Sequence, residues 1–116
     1  MRRRVVDVPA FYIAVTLYES SCPAPDYTPL YEECFVLLQA SSLEEAEEKA
    51  LAHAKSAETS FQNEEGEEIT WKLKHIVDVS PAATDKLQDG ADIYVRHFRD
   101  YSAYKTFEPL LSEQDL

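Results

Sequence analysis

Three histidines and two cysteines, His53, His75, His97, Cys22 and Cys34, are the residues of this sequence suited to nucleophilic, acid–base or metal chemistry. His53 falls in a stretch of helical periodicity, and Lys49 and Ala57, one turn to either side, ligate no metal. A surface position is expected for it. His75 and His97 fall on the inward faces of two alternating stretches and would approach each other, with Cys34 nearby, if those stretches pair. The commoner state of such a residue is a hydrogen-bonded, partly buried histidine. Cys22 lies among prolines and Cys34 at the start of an apolar run, a usage that fits a reducing compartment better than a single disulfide. The sequence holds no G-x-S-x-G, H-E-x-x-H or C-x-x-C motif, and its two glycines, Gly66 and Gly90, build no phosphate-cradling loop. No catalytic residue, metal ligand or cofactor is expected, and the chain reads as a non-enzyme.

Carboxylates are the abundant reactive groups. Eleven Lys and Arg stand against 22 Asp and Glu, a net charge of −11 over 116 residues. Most of it is local, with Glu44, Glu45, Glu47, Glu48, Glu58, Glu64, Glu65, Glu67 and Glu68 facing only Lys49 and Lys55 in that region. Such a charge repels long nucleic acid and anionic membrane and attracts cationic surfaces over a Debye length of roughly 8 Å. A solvated acidic face serving solubility is the common case. Here Glu45 with Lys49 is a favourable helical spacing, but Glu44 with Glu48 is a like-charge pair that costs as much. The helix gains nothing from so many acids. Glu44, Glu45, Glu48, Glu64, Glu65 and Glu67 are therefore the expected contact surface for a basic protein partner, as in an inhibitor or immunity-type protein.

The elements that must position these residues follow from periodicity. Residues 34–40 form a nearly continuous apolar run in which Phe35 and Leu37 on one face and Val36 and Leu38 on the other call for burial, the pattern of a central strand. Ser42 then opens a helix as its cap, and Glu45 is spaced to reach back to the amide of Ser42. Leu43, Ala46, Ala50, Ala54 and Ala57 recur on one helix side, with Leu51 beside them. Residues 11–18 alternate, with Phe11, Ile13, Val15 and Leu17 as the core face and Tyr12, Ala14, Thr16 and Tyr18 opposite. Residues 69–79 alternate again, placing Ile69, Trp71, Leu73, His75, Val77 and Val79 together. Residues 92–99 make a last short strand, preceded by a helical turn after Ser80 and a tight turn at Asp89 and Gly90. The proline-rich stretch 22–29 blocks both helix and ladder and reads as a connection, while the aromatic C-terminal residues from Tyr101 to Leu111 are expected to fold back on the sheet.

The result is an α+β fold: a small four-stranded, mainly antiparallel sheet in the sequence order β-β-α-β-β, with one long helix packed on one face. The arm 1–9 is expected to be mobile, 10–111 to form a single domain, and 112–116 to fray. The face away from the helix would display Tyr12, Tyr18, Lys72, Lys74, Tyr94 and Arg96, too aromatic for ordinary solvent exposure. The C-terminal segment or a second copy would cover it, and a homodimer is expected. The alternative is a site where tyrosine stacking and cationic side chains hold a small anionic ligand. No stretch approaches the ~20 apolar residues of a membrane-spanning helix, and a cytoplasmic protein is expected.

The segments FYIAVTLYE, YEECFVLLQASSLEEAEEKALAHAK, NEEGEEITWKLKHIVDV and DGADIYVRHFR, in that order and spacing, resemble a bacterial family of small cytoplasmic proteins known only as domain of unknown function 4288. Phe11 stands where the resemblance would put a tryptophan. What the resemblance implies is an α+β domain; it assigns no catalytic residue.

Overall fold

The computed structural model describes residues 9–112 and 115, so most of the arm and tail expected from sequence lies outside the described residues. Four strands and two helices follow one another: β1 (Ala10–Ser21), β2 (Tyr31–Ala40), α1 (Leu43–Ser56), β3 (Thr59–Gln62), β4 (Glu68–Pro81) and α2 (Tyr101–Phe107). The strands form one antiparallel sheet in the spatial order β2-β1-β4-β3, and the fold is α+β. Because β2 and β3 lie at opposite edges, α1 must cross the sheet diagonally to connect them.

The centre of the sheet is β1, where Ile13, Ala14, Val15 and Thr16 are at most 2% exposed. Residues 34–40, expected at the centre, lie instead in the edge strand β2, with Phe35 61% and Leu37 43% exposed. An apolar run on both faces reports a wish for burial; it does not say which strand acquires a neighbour on each side.

Ser42 caps α1 as expected: its side-chain oxygen accepts from the Glu45 amide at 3.1 Å. The Glu45 carboxylate reaches one residue further back than the spacing suggests, accepting from the Ser41 amide at 3.0 Å. Ala46, Ala50 and Ala54 are buried, whereas Leu43 and Leu51 stay exposed at the flanks. Small side chains let the helix axis approach the sheet closely. The core beneath it joins Tyr12, Ala14, Leu38, Ala40, Ala46 and Ala50, with Val36 and Val79 packed against them.

The helix thus covers the face of Tyr12, Ala14, Thr16 and Tyr18, the reverse of the expected assignment. Ala14, Ala46 and Ala50 share the core beneath the helix with Tyr12, and Tyr18 reaches the last turn of α1. The alternation of β4 is also broken by two register shifts, opposite Val15/Thr16 and Leu17/Tyr18. Cross-strand partners share a face. Ile76 therefore joins Leu73 and Trp71 on the helix side, while His75 and Asp78 turn to the other side with Leu17 and Val15.

Residues 92–99 form no strand. They run irregularly along the face opposite α1, held by the Ala83 amide donating to the Ile93 carbonyl at 3.0 Å. The fourth strand is instead β3, which sequence reading left in the helical region. No helical turn follows Ser80, although the turn at Gly90 is present, with the Ala91 amide on the Gln88 carbonyl and Gly90 at φ +85°. The proline-rich connection is pinned by Ser20, whose hydroxyl accepts from the Leu30 amide at 2.8 Å and shares a hydrogen bond with the Tyr27 hydroxyl. The second helix went unread in the sequence; Asp100 caps it through the Ala103 amide at 3.1 Å, and Glu108 closes it before Pro109.

Candidate functional site

Beneath the C-terminal half of α1 lies a cavity of about 340 Å³ lined by Tyr18, Glu32, Cys34, His53, Phe61 and Trp71, among others. The Cys34 thiol donates to Glu32 Oε1 at 3.4 Å. Burial first, and then the Glu32 carboxylate, push this thiol above its ordinary range. At neutral pH it is therefore a protonated thiol and a poor nucleophile. The histidine that shares its cavity is His53. Neither of the two expected there arrives: His75 lies across the sheet opposite Leu17, and His97 lies in the crossing segment. The register shifts in β4, which no periodicity announces, carried His75 away. Among the described residues, no group of three His, Cys, Asp or Glu side chains is placed to hold a metal ion.

The expected aromatic and cationic face is divided between the two sides of the sheet. Tyr12 and Tyr18 are buried under α1, where the Tyr18 hydroxyl donates to the Ala54 carbonyl at 2.9 Å. Tyr94 lies on the other side, its hydroxyl donating to Asp78 Oδ2 at 2.8 Å and its ring 5.4 Å from that of Phe35. Arg96 stands 5.9 Å over the Tyr94 ring. Tyr94 therefore spans Val15, from β4 on one flank to β2 on the other. Lys72 pairs in register with Glu19, and Lys74 bonds Glu19 Oε1 at 3.1 Å. The Tyr31 hydroxyl donates to the same carboxylate at 2.7 Å. That bond, with Lys74 next, holds the Glu19 carboxyl below its usual value.

With this geometry in place, the family can be stated. The profile described as "Domain of unknown function (DUF4288)" matches residues 11–95, well over half of the chain. The chain belongs to the DUF4288 family. The match takes in the four strands, α1 and the crossing segment as far as Val95, and ends before α2. No curated protein and no solved structure matches the chain.

In this DUF4288 domain the acidic residues fall at two separate places. Glu44, Glu45 and Glu48 open α1 beside the Tyr12 end of the sheet, whereas Glu64, Glu65 and Glu67 sit in the turn between β3 and β4, beyond the Ser20 end. At ~3.3 Å per strand residue the two ends are roughly 25 Å apart. Glu45 is engaged in the cap, and Glu67 accepts from Asn63 Nδ2 at 3.2 Å inside its own turn. Glu44, Glu47 and Glu48 are exposed on α1, and among the described residues no cation pairs with them. The helix's own lysines are used elsewhere: Lys49 donates to the Gln39 carbonyl and Lys55 pairs with Glu58 at 3.9 Å. No described helix is long and apolar enough to cross a membrane.

Proposed function

We propose that this domain is a non-enzymatic protein-binding module, of the inhibitor or immunity type, that receives a basic partner on the exposed side of α1. One observation carries the reading: Glu44, Glu47 and Glu48 are left unneutralised while both nearby lysines are committed to other acceptors. A helix stabilised for its own sake would place its lysines against those acids. Preorganisation adds to this, because the buried alanine side of α1 fixes the acidic side in one orientation on the sheet. The turn acids form a second, separate patch and are not needed for the contact.

Titration calorimetry with a lysine- and arginine-rich peptide tests it. Binding at low salt that weakens strongly at high salt, and falls at least tenfold in E44Q/E47Q/E48Q, is expected. Equal binding by the substituted chain, or none at low salt, would overturn it.

A further inference from the structure

We infer that two copies of this chain associate through the free edge of β2, each α2 closing over the partner's sheet at the seam. The first ground is a mismatch between sequence and position. Across residues 34–40 β2 has the composition of a strand with neighbours on both sides, yet among the described residues nothing pairs with its outer edge. The opposite edge is guarded in the ordinary way, since β3 has only four residues. The β2 edge has ten residues, with no proline, no lysine and no break in its ladder. It is a pairing edge left uncovered.

The second ground is α2. None of its residues is buried, and it packs on none of the strands, although Tyr101, Tyr104 and Phe107 are 53%, 38% and 68% exposed. It stands off on the Phe35 side of the sheet, where a cavity of about 610 Å³ separates Tyr104 and Phe107 from Phe35 and Val15. Tyr104 is stacked on Phe98 of the crossing segment at 5.0 Å, which fixes the helix in place, and Tyr101 and Phe107 are left to cover a second sheet.

The third ground is charge. Self-pairing is free of charge conflict: antiparallel strands centred on Val36 set Glu33 opposite Gln39 and Glu32 opposite Ala40, so no two acids meet.

The test is the solution mass of the full chain by light scattering, together with F35K and F107E. Phe107 is 68% exposed and packs on no strand, whereas F35K also gives up the ring contact between Phe35 and Tyr94, so circular dichroism verifies the fold of each variant before its mass is read. The expected result is twice 13.2 kDa for the wild type and 13.2 kDa for both variants, with unchanged spectra. A wild-type monomer at ~100 µM, well above the micromolar dissociation constants of specific interfaces, would overturn the proposal. A folded F35K that remains dimeric would overturn edge pairing, and a folded F107E that remains dimeric would overturn the crossing of α2.

Discussion

The hydroxyl of Tyr18, at the centre of the sheet, donates to the main-chain carbonyl of Ala54 in the last turn of α1 at 2.9 Å. That carbonyl belongs to a helix terminus, where the Ala57 amide bonds His53 and the Glu58 amide bonds Lys55. Tyr18 therefore supplies the partner that the helix cannot. Removing it in Y18F leaves a buried acceptor unsatisfied and should cost about 1–2 kcal/mol, read as a lower urea midpoint with an unchanged slope.

The same hydroxyl gives a pH dependence. Burial raises the Tyr18 pKa above its ordinary value of 10, and burial with the Asp78 bond raises that of Tyr94; Tyr31 is raised chiefly by its bond to Glu19. A folded-state pKa above the unfolded one contributes stability that is fully present below pH 10 and is lost as pH rises through the folded value. Stability should hold to about pH 10 and fall above it. An ultraviolet titration should show a group of the seven tyrosines ionising late, and Y18F should remove part of the alkaline loss.

Thr16 is 1% exposed, and among the described residues its hydroxyl oxygen makes no hydrogen bond of good geometry, although the Tyr18 hydroxyl and the Cys34 thiol lie near enough to interact with it. A buried unpaired hydroxyl destabilises, and valine has nearly the same shape without it. T16V should gain about 1 kcal/mol, visible as a rise of several degrees in Tm. An unchanged or lower Tm would mean that the hydroxyl is satisfied.

The Ser42 cap is a local device with a local cost. S42A frees the Glu45 amide and should lose about 1 kcal/mol, measured by urea unfolding. S42D should retain most of that stability, because a carboxylate accepts the same bond and meets the positive end of the helix dipole.

Tyr94 fastens the crossing segment to both β4 and β2 through Asp78 and Phe35. Y94A removes both attachments, and the segment should open. Trypsin cleavage at Arg96 and Arg99 should accelerate several-fold, with Y94F in between because it keeps the ring contact. Equal cleavage of Y94A and wild type would mean that the segment is held elsewhere.

The sequence by itself determined what is local. Ser42, Glu45 and the alanine spacing specify α1 because capping and a 3.6-residue period are properties of a few consecutive residues, and the period of two in residues 11–18 specifies β1 in the same way. It also determined the acidity of α1 and the α+β outline, but not the element order: β3 and α2 went unread, and residues 92–99, expected as the last strand, form none. Only the tertiary structure decided which face of β1 the helix covers. Both faces of that strand are apolar enough to be buried, and the choice rests on Ala14 and Ala46 allowing closer approach than Ile13 and Val15 would. The structure alone placed His75 opposite Leu17, because a strand bulge shifts alternation without leaving a mark in composition. It alone put β2 at an edge and set the turn acids far from the helix acids, since strand order is fixed by which partners meet in space, and residue spacing along the chain carries no term for it.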